Sequence, residues 1–153
     1  MFAVGLNCYT YIYNFYTLEC PANHQCKGHS GKIECIDWFS DDSGFCDGCT
    51  QGMCAFYDLE YQRAEMLRCK DDDFKRHKAA ITSCASIPGA GNRAIVASDE
   101  RQIWDTIDHR TGYDTRCKVS QIAVSANTSS TYIFTGFGEE GHPGSVQVWK
   151  LPL

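Results

Sequence analysis

The feature of this sequence that most constrains its fold is a short apolar segment that recurs and ends each time in a polar or turn residue. These segments end at four places: Tyr13-Asn14, Tyr57-Asp58, Asp105-Thr106 and Trp149-Lys150. Their spacings are therefore 44, 48 and 44 residues. A near-constant period of this length is typical of folds built by repeating one supersecondary unit.

Each recurring segment belongs to a group of predicted β-strands. Second strands are predicted at 1–4, 44–49, 93–98 and 132–138, and first strands at 33–38, 80–86 and 121–125. Room for a fourth strand remains near 19–27, 62–69 and 113–119. We therefore predict an all-β fold, a partial β-propeller of the WD-repeat type with about three and a half four-stranded blades. It spans residues 1–153 as one domain, with blades ending near 14, 58, 106 and 150.

A Gly-His pair before the first strand and an aromatic-Asp pair after the third are typical of WD-type blades. In such blades the His, an Asp in the turn before the third strand, a Ser or Thr of the second strand and the Trp form a hydrogen-bonded network. The turn position holds Asp only once here, at Asp99, so we expect blades that are held more by packing than by this network. The candidate blade-structural residues are Gly28, His29, Trp38, Tyr57, Asp58, Asp99 and Trp149.

The composition limits which classes of partner the chain can bind. It is 43% hydrophobic and 22% charged, as expected of a globular domain, and its net charge is -5. This charge provides no basic field for a nucleic-acid backbone. The apolar stretch 1–16 is rich in tyrosine and lacks basic residues, unlike a signal peptide or a membrane span. We therefore expect no nucleic-acid or membrane partner and a cytoplasmic location.

Ten cysteines could indicate disulfides or metal ligands. Disulfide frameworks belong mainly to short secreted chains, and most of these cysteines lie in apolar runs, so we interpret them as free thiols. A zinc- or redox-dependent module that uses Cys46 and Cys49 is the alternative function. The two residues are three apart on a predicted strand and should project to opposite faces. We therefore expect no metal and no cofactor.

Catalysis is not indicated by any local pattern. Five histidines and ten cysteines are present, but no motif joins one of each into a nucleophile pair. The Gly-His position explains His29 without catalysis. The glycine-rich stretch 136–144 lies between two strands, and it leads to no helix that could bind a phosphate. We therefore predict no catalytic residue and no enzyme.

A charged run at 70–78 falls where the spacing grows from 44 to 48 residues. Loops between blades commonly bind partners, and an aromatic residue among charges suits a protein contact. The candidate partner contacts are Asp72, Phe74, Lys75, Arg76 and Lys78. A solvated loop is the alternative interpretation.

The segments 1–18, 27–60 and 133–153 resemble consecutive blades of axonemal WD-repeat proteins of the cilia- and flagella-associated protein 57 family. The resemblance implies a non-enzymatic scaffold in the cytoskeleton of the ciliary axoneme. It also implies tandem propellers followed by a coiled coil. Such a protein docks inner-arm dyneins and regulatory complexes on doublet microtubules. A WD-type scaffold outside cilia remains an alternative, because fold does not imply function.

The first predicted strand, at 1–4, corresponds to the second strand of a blade. Propellers usually close with about 4–8 blades, so this arc is too short to close. We expect the remaining blades to come from a separate polypeptide, from a second copy, or from upstream and downstream sequence.

Overall fold

A computed structural model of the chain describes residues 1–21, 24–58, 63–68, 79–90, 93–100, 102–106, 111–114, 118–127, 129–138 and 143–151. These residues form fourteen β-strands and no α-helix, which confirms the all-β class for this part of the chain. The same residues contain no helix that is long and apolar enough to span a membrane.

The strands are short and follow one another along the chain. The first seven are β1 (Phe2–Leu6), β2 (Tyr9–Tyr13), β3 (Gln25–Lys27), β4 (Ile33–Trp38), β5 (Gly44–Cys49), β6 (Met53–Asp58) and β7 (Arg63–Arg68). The other seven are β8 (Ile81–Ser86), β9 (Ala94–Ser98), β10 (Gln102–Asp105), β11 (Thr111–Asp114), β12 (Val119–Ala126), β13 (Thr131–Phe137) and β14 (Ser145–Leu151).

These strands form four antiparallel sheets in which chain neighbours pair. Sheet 1 has the order β1-β2-β3, and sheet 2 has the order β4-β5-β6-β7. Sheet 3 contains β8 to β11, and sheet 4 contains β12 to β14. Over the described residues, the two middle sheets are thus four-stranded and the two end sheets three-stranded.

Four strands correspond to the recurring apolar segments of the sequence. Strands β2, β6, β10 and β14 end at Tyr13, Asp58, Asp105 and Leu151. One of the predicted fourth strands, the one near 113–119, begins earlier than expected. Strand β11 starts at Thr111, and Val119 already belongs to β12. Gly112 has no side chain to extend the apolar pattern, so alternation alone does not show where this strand begins.

The sheets stack face to face in chain order. β1 lies against β4, β8 lies against β4 and β5, and β12 lies against β8 and β9. Apolar side chains fill each of these three junctions. They include Ile12 and Phe45 between sheets 1 and 2, Phe56 and Val96 between sheets 2 and 3, and Ile103 and Ile133 between sheets 3 and 4.

Strand β5 shows the effect of this stacking, because all six of its residues are buried. A strand with a sheet on both faces needs small or apolar side chains in both directions. Gly48 is required by the close approach of sheet 3: a Cβ atom there would lie 2.5 Å from Ile81 Cγ2 and 2.8 Å from Cys35 Sγ.

Candidate functional site

The most polar part of the described interior lies between sheets 1 and 2, where His29 meets Asp47. His29 lies in the loop before β4, and its side chain is 1% exposed. Its Nε2 is 2.5 Å from Oδ1 of Asp47, whose side chain is fully buried in β5. A buried charge of this kind must be paired and hydrogen-bonded to be tolerated.

Thr10 completes this network from the neighbouring sheet. Its hydroxyl lies in β2 and donates to Oδ2 of Asp47 at 2.6 Å. Both oxygens of the carboxylate therefore have a partner, one from the loop before sheet 2 and one from sheet 1. The network connects residues 37 positions apart in the sequence and fixes the two sheets relative to each other.

The charge state of His29 follows from these contacts. Burial lowers the pKa of His29, but the hydrogen bonds and charges of Asp47 and Cys49 outweigh it and raise the pKa from 6.5 to about 9. The imidazolium form therefore donates to the Asp47 carboxylate at neutral pH. Burial raises the pKa of Cys49, whereas hydrogen bonds from His29 and from the backbone of Gln51 and Met53 lower it, with a net decrease.

Cys49, His29 and Asp47 are the residue types of a Cys-His-Asp nucleophile arrangement. The Cys49 sulfur also accepts a hydrogen bond from the Gln51 backbone N–H at 3.4 Å. However, Cys49 is 0% exposed and the His29 side chain only 1% exposed. A nucleophile must reach its substrate, so the geometry supports a structural network between the sheets.

Each of the other two junctions also carries a polar link. Between sheets 2 and 3, the Ser86 backbone N–H donates to Asp37 Oδ2 at 2.7 Å, and the Ser86 hydroxyl lies 2.7 Å from the same oxygen. Between sheets 3 and 4, the Thr82 hydroxyl donates to the carbonyl oxygen of Val119 at 2.7 Å. Oriented polar contacts thus accompany apolar packing at every junction.

A group of buried thiols lies between sheets 2 and 3. Hydrogen bonds from Cys54 and Cys84 lower the pKa of Cys46 despite its burial. Contacts with Cys35 and Cys46, together with burial, raise the pKa of Cys84 well above its ordinary value. The eight cysteines that the structure describes are all free thiols.

The structure separates Cys46 from Cys49, the two residues that the alternative zinc or redox module requires. Cys46 packs in the core between sheets 2 and 3, whereas Cys49 packs with Ile33 and Met53 in a different cluster. The two thiols project from opposite faces of β5, as their spacing predicts. Across the described residues, no three His, Cys, Asp or Glu side chains form a group that could hold a metal ion.

The aromatic residues predicted to stabilise the second unit pack around Phe45. Trp38 ends β4, and its ring centroid lies 5.1 Å from that of Phe45. On the other side of Phe45 lies the Tyr57 ring of β6, whose centroid is 4.8 Å from that of Phe45 and whose plane is inclined to it by 17°. Gly28 lies in the loop directly before His29. Trp38, Tyr57 and His29 therefore lie at one junction, and Gly28 precedes His29 in the chain, while the role of these residues in a WD-type network stays a prediction.

The other predicted residues lie elsewhere. Asp58 is the exposed last residue of β6. Asp99 is exposed after β9, and its backbone N–H donates to the carbonyl oxygen of Ala80 at 3.0 Å. In β14, the Trp149 Nε1–H donates to the Thr135 hydroxyl at 3.1 Å.

The candidate partner contacts lie outside the residues that the structure describes. These are Asp72, Phe74, Lys75, Arg76 and Lys78. Their role in binding therefore stays a prediction from the sequence.

Sequence reasoning missed the central acid of the network, Asp47. The available signal was a carboxylate within the apolar stretch Gly44–Cys49, since charged residues are almost never fully buried unless they are paired. The sequence could not identify its partners, because Thr10 and His29 reach it only after the sheets have stacked.

Comparison with known proteins gives one informative similarity. No family model matches the chain. Cilia- and flagella-associated protein 57 C of Tetrahymena thermophila is 24% identical over 160 residues, an alignment that covers 93% of this chain. The chain spans only 11% of the length of that relative. The chain is therefore similar in sequence to one stretch of a much longer cilia- and flagella-associated protein.

Proposed function

We propose that the chain is a non-enzymatic protein-interaction scaffold of the ciliary axoneme. The observation that carries this proposal is the similarity to a cilia- and flagella-associated protein along 93% of the chain. A match of this extent is more informative than a local motif, because it includes all four sheets. The low identity, 24%, leaves the choice of partners to experiment.

The arrangement that we infer for this scaffold is part of a WD-type β-propeller. Its support is the succession of antiparallel sheets, in which the first strand of each following sheet lies against the preceding sheet. Propeller blades have this meander order and this stacking. Sheets 2 and 3 would be complete blades, and sheets 1 and 4 would be incomplete ones. Propellers are rigid and offer loops on their rim for partners.

The proposed absence of catalysis is supported by the surroundings of the His29 network. Its thiol, imidazole and carboxylate are all buried between sheets. In an accessible site such contacts could activate a nucleophile. In this buried position they pair a charge and connect two sheets. The proposal therefore assigns the network to the stability of the scaffold.

The partners in this proposal are other axonemal proteins, among them inner-arm dyneins and regulatory complexes on the doublet microtubule. They follow from the resemblance of the sequence to axonemal WD-repeat proteins. The sequence 70–78 is the proposed contact, with Phe74 as its apolar anchor.

The experiment is to express the tagged chain in a ciliated cell and to extract isolated cilia with detergent. We expect the chain to remain with the axoneme and to co-purify with dynein subunits after salt extraction. The matched variant Phe74→Ala should reduce recovery of a partner without changing thermal unfolding. Absence of the wild-type chain from axonemes would overturn the ciliary role. Recovery of a ubiquitin ligase or trafficking complex instead would favour a scaffold outside cilia.

A further inference from the structure

The strands that begin sheets 2 and 3 lie beside each other with a constant offset in sequence. Asp37 of β4 accepts two hydrogen bonds from Ser86 of β8, one from the backbone N–H and one from the hydroxyl, both at 2.7 Å. Just beyond the ends of these strands, the Gly89 backbone N–H donates to the Ser40 hydroxyl at 3.1 Å. The partners in each pair are 49 residues apart, so β4 and β8 run in the same direction with matched positions.

This offset brings the thiols of Cys35 and Cys84 together. Cys35 precedes Asp37 by two residues, and Cys84 precedes Ser86 by two residues. Because side chains two apart on a strand project to the same face, both thiols enter the junction between sheets 2 and 3. Cys35 packs there against the core cluster that contains Cys84. A hydrogen bond between the two thiols shows that their sulfur atoms are in contact.

Gly48 lets sheet 3 approach sheet 2 closely at this point. Packed sheets ordinarily lie about 10 Å apart, whereas a disulfide needs Cβ atoms about 3.5–4.5 Å apart. Gly48 is opposite Cys35 in the sheet, and a Cβ atom at Gly48 would lie 2.8 Å from Cys35 Sγ and 2.5 Å from Cγ2 of Ile81 in β8. Strand β8 and the Cys35 sulfur therefore share the space that a side chain at position 48 would fill.

The thiols of this junction differ in their access to solvent. Cys35 is partly exposed, whereas Cys84 is 7% exposed and Cys46 is 0% exposed. A small oxidant from solution therefore reaches Cys35 first, since oxidation of a thiol requires access to the sulfur. Cys84 is the thiol in contact with Cys35, while Cys46 makes its hydrogen bonds with Cys54 and Cys84.

We propose that Cys35 is an oxidation site and that it forms a reversible disulfide with Cys84, which joins sheets 2 and 3 covalently. The oxidant is a hydroperoxide. The Cys35 sulfur attacks its outer oxygen, the O–O bond breaks, and Cys35 becomes a sulfenic acid while water or an alcohol leaves with the thiol proton. The Cys84 sulfur then attacks the Cys35 sulfur, the S–S bond forms, the S–O bond breaks, and hydroxide leaves with the Cys84 proton as water. The two thiols lose two electrons and the hydroperoxide gains them.

The surroundings of Cys84 make the second step the slower one. The contacts and burial that raise the pKa of Cys84 keep this thiol protonated until the hydroxide leaves. A dithiol reductant reverses the reaction by thiol–disulfide exchange. This inference does not rest on the ciliary role. It also differs from a module that uses Cys46 and Cys49, because neither of those residues forms the disulfide.

The test is disulfide mapping of the full chain after treatment with hydrogen peroxide. Treated and untreated proteins are alkylated and then digested at Lys, Arg and Asp, which separates Cys35 from Cys46 and Cys49. We expect a Cys35–Cys84 peptide pair in the treated protein only, with equal loss of both thiols, and its disappearance with dithiothreitol. The disulfide should also raise the midpoint of thermal unfolding, Tm, by about 5 °C or more, because it constrains the unfolded chain.

Three variants distinguish this site from general oxidation of thiols. Cys84→Ser should leave a sulfenic acid at Cys35 that dimedone traps, and the absence of trapped Cys35 would overturn the peroxide route. Cys35→Ser should abolish the rise in Tm. Cys8→Ser, which changes a partly exposed thiol in the turn between β1 and β2, is the matched control and should retain it.

The mapping of the wild-type chain decides the question even if a variant does not fold. A treated protein without the Cys35–Cys84 pair, or with a predominant disulfide between other cysteines, would overturn the proposal. An unchanged Tm in the cross-linked protein, or a rise that persists in Cys35→Ser, would overturn it as well.

Discussion

The stability of the fold should fall as pH rises from about 6.5 to 9, because His29 loses its proton in that window. The pKa of His29 is about 9 in the folded chain and 6.5 in the reference state. The folded state therefore binds more protons between these values, so deprotonation favours unfolding. Each tenfold change in proton affinity corresponds to about 1.4 kcal/mol, which gives a contribution of about 3 kcal/mol. This contribution to stability is fully present below pH 6.5, and it is lost above the folded-state pKa of His29.

The assay is urea unfolding of the reduced chain at closely spaced pH values from 6 to about 10. Cysteine thiols also titrate at the upper end of this range. Asp47→Asn supplies the comparison, because it keeps the size of the side chain and removes the charge that raises the His29 pKa. The difference between the two proteins isolates the His29–Asp47 pair. Thr10→Val is the matched control, and it should retain the pH dependence while losing one hydrogen bond.

Equal pH dependence in the wild type and Asp47→Asn would refute this account of the pair. A second measurement covers the case in which Asp47→Asn does not fold. The His29 Cε1–H resonance of the wild type, followed by NMR, should titrate with a pKa of about 9. Titration near the ordinary histidine value of about 6.5 would contradict the argument on its own.

Two further substitutions test the packing of the middle and end sheets. Gly48→Ala should destabilise the chain by about 1–3 kcal/mol, because the new Cβ would lie 2.5 Å from Ile81 Cγ2. Gly138→Ala, whose Cβ would meet no atom of the described residues within 4 Å, should have little effect, and equal urea midpoints for the two variants would contradict the overpacking argument. Trp149→Phe should cost about 1 kcal/mol, since the Nε1–H bond to the Thr135 hydroxyl is lost. In a Thr135→Val background the bond is already absent. If Trp149→Phe lowers the free energy of unfolding by the same amount there, the bond is not the cause of the loss.

The strands could be predicted from the sequence because their signals are local. Alternation of side chains and turn residues such as the Ser40–Gly44 stretch mark where a strand starts and ends. The 44-residue spacing then groups the strands into sheets. The start of β11 could not be predicted in the same way, since its register depends on pairing Tyr113 with Ile103 across a local irregularity.

The site could be predicted only in part. His29 stands out beside Gly28 before an apolar strand, and the structure places it in the buried network. Asp47 and Thr10 carry no local signal that relates them, because their contact forms between two different sheets. The opposite orientations of Cys46 and Cys49 follow from strand geometry alone, so that part of the thiol chemistry could be predicted.

The hydrogen bond between Thr10 and Asp47 has a consequence for how sequences of this kind change over time. Loss of the hydroxyl alone would leave one oxygen of a buried carboxylate without its donor, and loss of the carboxylate alone would leave a buried imidazolium without its counter-charge. Either single replacement is costly, whereas joint replacement by apolar residues of similar shape is not. Positions 10, 29 and 47 should therefore vary together among related sequences. Each of the three should be free to vary only in lineages where the other two have also changed.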